Sequence, residues 1–182
     1  MPLQQSKTLV SVTRGKPITP TIRNHRIAIY PSPAGNEQRA DAALASGQIS
    51  DAIAAFEEAV ASTPGDAMLE FKLAMALDKA GEIAGEKSAL ENAIRINPDM
   101  AIARNQIGYL AVRSGDAESA EKDFREAVDA SPAYTQAWIN LAAALAMQSK
   151  ISDAQRAIAN ALKVDPRNPD ALELQQDLAR RQ

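Results

Sequence analysis

The chain has no cysteine and one histidine among its 182 residues, and its aromatic residues are few: three Phe, three Tyr and one Trp. Without cysteine, this chain can form no disulfide, thiolate metal site, cysteine nucleophile or covalent haem attachment. The histidine, His25, lies near the amino terminus, and no glycine-rich phosphate loop or isolated carboxylate pair stands out elsewhere. We therefore expect that the chain is not an enzyme and that it holds no metal and no cofactor.

Long apolar runs are also absent. No stretch approaches the ~18 consecutive apolar residues that are typical of a membrane-spanning helix. Residues 1–30 have no apolar core of the kind that a signal peptide needs. As written, the chain is therefore expected to stay in the cytoplasm without contacting a membrane.

Four prolines recur every 34 residues, at Pro64, Pro98, Pro132 and Pro166. The same spacing recurs in further columns: Gly47, Gly81, Gly115 and Ser149; Phe56, Leu90, Phe124 and Ile158; Ala59, Ala93, Ala127 and Ala161; Val60, Ile94, Val128 and Leu162. Agreement of several independent columns at one period indicates a tandem repeat.

Apolar positions follow a helical spacing on both sides of the glycine column, and each proline closes a unit, which indicates a repeated pair of helices. These columns resemble the tetratricopeptide repeat family. The first half of the family pattern is carried by Trp138, Leu141, Ala142 and Leu145 and by Ile107 and Gly108. The second half, Ala, Phe, Ala and Pro, is carried by Ala52, Phe56, Ala59 and Pro64 and by Ala120, Phe124, Ala127 and Pro132.

The resemblance implies an all-α fold, a right-handed α-solenoid of about four helix pairs plus a carboxy-terminal capping helix. An extended, non-helical leader is expected before it. The predicted boundaries are a leader at 1–33 and a repeat domain at 34–182, with units 33–66, 67–100, 101–134 and 135–168 and a capping helix at 169–182.

Small residues in one column are expected to let the two helices of a unit approach closely: Ala40, Ala74, Gly108 and Ala142. The column that contains Phe56 is expected to fill the space between one unit and the next, because a single helix pair cannot bury its apolar face alone. Unit two departs from the family pattern at Glu86, where a small residue is usual. Unit one departs at Asn36 and Arg39, where large apolar residues are usual, and this suits a first repeat with no neighbour to cover it.

Turn chemistry predicts where the helices begin and end. The glycine column supplies a positive φ at the end of each first helix. Ser50 and Ser152 are predicted to be N-caps of second helices, with Gln155 completing a capping box. Asp66 and Asp99 are predicted to cap the helices that follow the prolines.

The predicted leader is basic. Residues 1–33 carry a formal charge of +5 with no acid, so the remainder carries −8 to give the overall −3. Such an arm can bind nucleic acid, clasp the acidic body or form a solvated leader. Because it has no dense Lys/Arg cluster or interleaved aromatic residues, we expect no nucleic-acid partner. Its β-branched runs, 8–12 and 26–30, predict extended segments, either partly ordered or docked on the repeats of the same or a neighbouring molecule.

The leader also resembles the end of a multihaem c-type cytochrome domain of the kind that bacteria fuse to tetratricopeptide repeats. The residues that carry this resemblance are the opening Met-Pro-Leu-Gln and Asn24-His25-Arg26-Ile27, and the Cys-x-x-Cys-His attachment motif is absent. The resemblance implies that the chain is the end of a longer, exported, periplasmic redox protein whose repeats mediate assembly. His25 would then be a distal haem ligand.

In the family, the second, fifth, ninth and thirteenth residues of each unit line a concave groove. The groove residues implied here are Met68, Phe71, Met75 and Lys79; Ile102, Asn105, Tyr109 and Arg113; and Gln136, Ile139, Ala143 and Met147. Large apolar side chains at such positions favour a protein-interaction scaffold that binds a peptide or an amphipathic helix. Alternatively, Met68 and Ile102 pack between neighbouring first helices.

Some family members clamp a terminal carboxylate with Lys, Asn and Arg. At those positions this chain has Glu37, Asp41, Ile102 and Gln106, so we expect no carboxylate clamp. Elsewhere, carboxylates such as Glu121 are predicted to form ordinary helix-surface pairs. The partner, its orientation in the groove and the oligomeric state stay open.

Overall fold

The computed structural model describes residues 33–180, which form nine helices and no strand. In chain order these are α1 (Pro33–Ala45), α2 (Ile49–Ser62), α3 (Ala67–Ala80), α4 (Ile83–Ile96), α5 (Ala101–Arg113), α6 (Ala117–Ala130), α7 (Thr135–Met147), α8 (Ile151–Val164) and α9 (Pro169–Arg180). The predicted leader up to residue 32, His25 and the proposed leader docking lie outside the described residues. α1 begins at Pro33, the last residue assigned to the leader, where a proline suits a helix start.

The helices form four consecutive pairs with a ninth helix at the end. Each second helix packs against its partner and against the first helix of the next pair, and α9 packs against both α7 and α8. The all-α solenoid of four helix pairs and a final helix is therefore confirmed. In the described part of the chain, no helix combines the length and the apolar character that a bilayer crossing requires.

The glycine column has the positive φ that the sequence predicts. Gly47, Gly81 and Gly115 have φ of 77°, 76° and 80°, and Ser149 adopts 61° at the same place in unit four. In each turn the amide after this residue donates to the carbonyl five residues earlier, as from Lys150 to Leu145 at 2.9 Å. Ser149 therefore has a conformation that an ordinary side chain disfavours by about 1–2 kcal/mol.

The predicted caps are only partly correct. Asp66 caps α3, since its Oδ1 accepts from the amides of Met68 at 2.9 Å and Leu69 at 3.2 Å. The assignments of Ser50, Ser152 and Asp99 are wrong. The tight turns place the residue directly after the glycine column at the N-cap, so both serines lie inside their helices, which begin at Ile49 and Ile151. No capping box forms at Ser152, and α5 begins two residues after Asp99.

The apolar interior is built from the predicted columns. Phe56, Leu90, Phe124 and Ile158 are each at most 1% exposed, which confirms the burial of the large column. A Cβ added to Gly108 would lie 2.7 Å from Cε1 of Phe124, so the ring occupies the space that the small column leaves. Phe124 also belongs to the same buried cluster as Leu141 and Leu145 of α7, and it therefore joins units three and four.

The first unit has a partly polar outer edge. Arg39 is exposed and its Nη2 donates to Oε2 of Glu58 at 2.7 Å, as expected for a repeat without a preceding neighbour. Asn36, in contrast, is only 4% exposed, so the expectation of an uncovered side chain is wrong there.

Candidate functional site

The four first helices, α1, α3, α5 and α7, are joined in a row by side-chain contacts between successive units. Nζ of Lys72 donates to Glu37, Nη1 of Arg113 donates to Asp78, and Nδ2 of Asn140 donates to Asn105. These contacts join α3 to α1, α5 to α3 and α7 to α5. The surface that carries the predicted groove residues is therefore contiguous along the first helices.

Four of the predicted groove residues are large, apolar and open to solvent. Met68 is 49% exposed, Ile102 40%, Tyr109 47% and Met147 52%. Met68 and Ile102 therefore present surface to solvent in addition to the part of each residue that neighbouring groups cover. Lys79 and Gln136 are exposed beside them, and Nε2 of Gln136 donates to Asn140 at 3.0 Å.

The fifth residue is buried in units three and four and half-buried in unit two, which corrects part of the predicted groove. Phe71 is half-buried against the core of unit two. Asn105 is 7% exposed and its Oδ1 accepts from Nδ2 of Asn140 at 2.9 Å. Ile139 is 6% exposed and lies in a buried cluster that includes Leu178 of α9. Neighbouring helices cover these positions, so Asn105 and Ile139 contribute little surface for a partner.

Two further groove residues are intermediate in exposure. Met75 is half-buried against the core cluster of unit two, and Ala143 is half-buried on α7. Both therefore present only part of their side chains to solvent. A flexible methionine such as Met75 can adapt to different neighbouring side chains.

The sequence prediction missed a column of donors at the sixth residue of each unit. Lys72, Gln106 and Asn140 lie 34 residues apart, and each donates to a residue of the preceding unit. The signal was present in the sequence as polar residues at the repeat period. Lys72 and Asn140 thereby link neighbouring first helices, whereas Gln106 links α5 to Glu86 on α4.

Lys72 neutralises the acidic end of the groove. Its Nζ lies 2.7 Å from Oδ2 of Asp41 and 2.9 Å from Oε1 of Glu37. The hydrogen bond to Asp41 is the largest cause that raises the pKa of Lys72, and burial opposes it. Both acids at the family's clamp positions in unit one are therefore already paired within the chain.

Glu86 is the most unusual side chain of the described residues. It is 0% exposed at a repeat position where the other units have Ala52, Ala120 and Ala154, also at 0%. Its Oε1 accepts from Nε2 of Gln106 at 3.3 Å, whereas Oε2 is buried without a hydrogen-bond partner among the described residues. Burial is the main cause that raises the pKa of this carboxyl.

Arg113 lies between this buried carboxylate and the groove. Its Nη1 donates to Oδ1 of Asp78 at 2.8 Å and lies 3.6 Å from Oε2 of Glu86. Its Cζ lies 6.0 Å from the centroid of the Tyr109 ring. We call Asp78, Glu86, Gln106, Tyr109 and Arg113 the joint cluster, because they connect units two and three.

Glu121 forms a second charged link, between units three and four. Its carboxylate accepts from Arg125 at 2.8 Å, Lys150 at 2.7 Å and Gln148 at 2.9 Å. Burial acts to raise its pKa, but the hydrogen bonds from Lys150, Arg125 and Gln148 lower it to about 2. The expected helix-surface pair with Arg125 is present, and the fold adds Lys150 and Gln148 of the next unit, so Glu121 is more than an ordinary surface residue.

No group of three or more His, Cys, Asp or Glu side chains in residues 33–180 is arranged to hold a metal ion. The chemistry that the groove offers is instead apolar contact, amide hydrogen bonding and a few paired charges.

Curated relatives share the repeats over part of their length. DnaJ homolog subfamily C member 3 of Homo sapiens is 29% identical over 93 residues, which are 51% of this chain and 18% of that protein. Cellulose synthase operon protein C of Pseudomonas fluorescens (strain SBW25) is 28% identical over 136 residues, 69% of this chain and 10% of that protein. The chain spans less than a fifth of the length of either relative.

Solved structures share the fold at low identity. MamA, from residue 41 to its end, of Desulfovibrio magneticus RS-1 has a TM-score of 0.73 at 16% identity, over 82% of this chain and 85% of that chain. YrrB, a TPR protein with an unusual peptide-binding site, has a TM-score of 0.68 at 18% identity, over 80% and 75%. The first TPR of Spaghetti (RPAP3), bound to an HSP90 peptide, has a TM-score of 0.61 at 18% identity, over 64% and 92%.

Family models described as tetratricopeptide repeat match residues 38–101, 71–135 and 111–178 of this chain. These matches cover all four helix pairs and most of α9. The 34-residue columns and the stacked helix pairs agree with them. The chain belongs to the tetratricopeptide repeat family.

Proposed function

We propose that this protein is an interaction scaffold that binds a peptide or an amphipathic helix of another protein in the groove of its first helices. One observation carries the proposal. Seven large apolar side chains are exposed in the described part of the chain, and four of them, Met68, Ile102, Tyr109 and Met147, lie at predicted groove positions. Grouping of exposed apolar side chains on one face is typical of a surface that a partner covers.

The composition of the groove suits a peptide. Exposed methionines and a tyrosine can contact varied side chains, and the exposed amide of Gln136 can pair with a peptide backbone. The YrrB and Spaghetti structures, which have the same fold, are described with a peptide-binding site and with a bound HSP90 peptide. Those likenesses support the proposal for this chain by analogy of fold.

The test uses a displayed library of random peptides, selected on the full chain. A groove variant combines Met68→Ser, Tyr109→Ser and Met147→Ser. A matched control combines Ile83→Ser, Val164→Ser and Leu172→Ser, which changes the three exposed apolar side chains outside the predicted groove. Selected peptides should bind the control variant as they bind the wild type and should lose at least about tenfold in affinity for the groove variant.

Circular dichroism checks that both variants keep their helices. Peptides that bind the groove variant normally but lose affinity for the control would place the interaction on the second helices or α9. A library that yields no binding peptide at all would contradict the proposal.

A further inference from the structure

The joint cluster contains a buried acceptor that lacks a partner. Oε2 of Glu86 is buried without a hydrogen bond to any described group, and Nη1 of Arg113 is too far away, at 3.6 Å, to donate to it. The same nitrogen donates to Asp78 at 2.8 Å instead. The guanidinium of Arg113 therefore lies near two carboxylates and donates a hydrogen bond to only one of them, that of Asp78.

The charges of the cluster are also unbalanced. Asp78 and Glu86 together carry two negative charges when ionised, against one positive charge on Arg113. Lys79 follows Asp78 on α3, but no ion pair joins it to either carboxylate within residues 33–180. One further positive charge would make the cluster neutral. This matters because a buried carboxylate that is ionised without a full set of partners destabilises the fold.

We propose that the joint cluster is a recognition site for a basic side chain, Lys or Arg, of the peptide that binds in the groove. The basic group pairs with Asp78 and releases Arg113, which then donates to the free oxygen of Glu86. This inference rests on the proposed function, since the basic side chain belongs to a peptide that lies in the groove.

The geometry permits this exchange. The side chain of Asp78 is 36% exposed and that of Arg113 34%, so a ligand can reach both from the groove. Closing the gap of 3.6 Å between Arg113 and Glu86 to a charge-assisted hydrogen bond requires a shift of about 0.8 Å. The ring of Tyr109, 47% exposed, offers an aromatic face to an incoming cation.

The exchange couples peptide binding to the release of a proton from the carboxyl of Glu86. The groups that face Glu86 are Asp78 from α3 and Gln106 and Arg113 from α5. Burial and the charge of Asp78 raise the pKa of Glu86, whereas Gln106 and Arg113 lower it. Closer approach of Arg113 favours the ionised carboxylate, so binding of a basic peptide should release a proton and strengthen as pH rises through the pKa of Glu86.

The experiment starts from the peptides that the displayed library yields on the full chain. We expect these peptides to share a Lys or Arg at a fixed distance from their apolar residues. A synthetic copy of one peptide should bind about tenfold more tightly than its counterpart with norleucine in place of the basic residue. Asp78→Asn should remove this preference, so that the two peptides bind the variant with equal affinity.

Two variants distinguish recognition by the joint cluster from a general attraction between a basic peptide and the acidic side chains of the groove. Asp41→Asn makes the same chemical change in unit one, where the acid pairs with Lys72, and should keep the preference. Glu86→Gln should keep part of the preference and lose its pH dependence. A ¹³C NMR signal of the Glu86 carboxyl carbon should show a lower pKa in the complex than in the free protein.

The outcomes distinguish this inference from the proposed function. Peptides without a basic residue, or with an acidic one, would overturn the inference and leave the groove function intact, provided that they lose affinity for the groove variant. A lysine preference that survives Asp78→Asn would place the recognition elsewhere. An unchanged Glu86 carboxyl signal on binding would rule out the movement of Arg113. Failure to select any peptide would overturn both proposals.

Discussion

Two glutamates lie one position apart in the repeat and have opposite environments. Glu86 is 0% exposed at the joint of units two and three, with one long hydrogen bond from Gln106 at 3.3 Å. Glu121, at the joint of units three and four, has a 14% exposed side chain that accepts from Arg125, Lys150 and Gln148. The two carboxylates therefore differ in how fully they are satisfied, with three side-chain donors at Glu121 and one at Glu86.

The buried apolar clusters at the two joints also differ, and the larger one lies at the joint of units three and four. The buried cluster around Phe124 extends through α6, α7, α8 and α9, whereas the cluster around Leu90 is smaller and reaches from α3 and α4 only as far as Ala103 and Leu110 of α5. At the equivalent of Glu86, unit three has Ala120, which lies in the large cluster. We therefore expect the joint of units three and four to be the more stable of the two.

The largest expected effect comes from the apolar side of the stronger joint. Phe124→Ala removes a fully buried ring and leaves a cavity beside Gly108, so it should lower the free energy of unfolding by roughly 3 to 5 kcal/mol. Denaturant unfolding followed by circular dichroism measures this change. Val164→Ala, at an exposed position, is the control and should have little effect. Equal effects of the two substitutions would contradict the assignment of the Phe124 column to the core.

Replacement of Glu121 tests the polar side of the same joint. Glu121→Gln should cost about 1–3 kcal/mol at pH 7, because the hydrogen bonds from Lys150, Arg125 and Gln148 lose their negative acceptor. The pKa of Glu121 is lowered from 4.5 to about 2, so its contribution is complete above pH 4.5 and is lost as the pH falls towards 2. Unfolding measured from pH 7 to pH 2 follows this loss.

The matched control is Glu91→Gln, which changes an exposed carboxylate 3.8 Å from Lys87 on α4. Exposed helix pairs of this kind contribute about 0.2–0.5 kcal/mol. If Glu121→Gln lowered the free energy of unfolding no more than Glu91→Gln, the claim that Glu121 stabilises the joint of units three and four would be wrong.

Replacement of Glu86 should change the free energy of unfolding in the opposite direction to replacement of Glu121. Glu86→Gln keeps the shape and removes a buried charge, so it should stabilise the protein by about 1 kcal/mol at pH 7 to 8. The pKa of Glu86 is raised in the folded protein, so the penalty of its charge is present above that pKa. As the pH falls towards 4.5, the carboxyl takes up its proton and the difference between variant and wild type should disappear.

Parallel unfolding curves of the wild type and Glu86→Gln at pH 8 and pH 5 measure this difference. A variant that is less stable than the wild type at pH 8 would show that the charge of Glu86 stabilises the joint. The two glutamates would then act alike, and the comparison between the joints would fail.

The smallest expected effect concerns the turn of unit four. Ser149→Gly should stabilise the protein by about 1 kcal/mol, because glycine adopts a φ of 61° without the steric cost of a Cβ. Gly115→Ser, at the same place in unit three, should destabilise by a similar amount. Thermal unfolding of the two variants measures both changes, and shifts of the same sign would contradict the role of this column.

The repeat period predicted the features that recur in every unit. It gave the helix pairs, the positive φ at Gly47 and its equivalents, and the burial of the column of Phe56. The caps at Ser50 and Ser152 could not be predicted well, because the length of the tight turn decides which residue becomes the N-cap. A shift of two residues is enough to move a serine into the helix.

The features that the sequence did not predict depend on contacts between units. Glu86 departs visibly from the family pattern, but its partners Gln106 and Arg113 lie on the next first helix. Ile139 was assigned to the groove from its repeat position, but it is buried in the cluster that also contains Leu178 of α9. Glu121 looks like a helix-surface residue until Lys150 and Gln148 are brought to it by the fold.

The most direct test of the groove is NMR mapping of a library-selected peptide onto the full chain. Amide shifts should change along α3, α5 and α7, with the largest changes near Ile102, Tyr109 and Met147, and the second helices should change little. Changes concentrated on α4, α6 and α8 with none on the first helices would contradict the claim that this chain binds its partner in the groove.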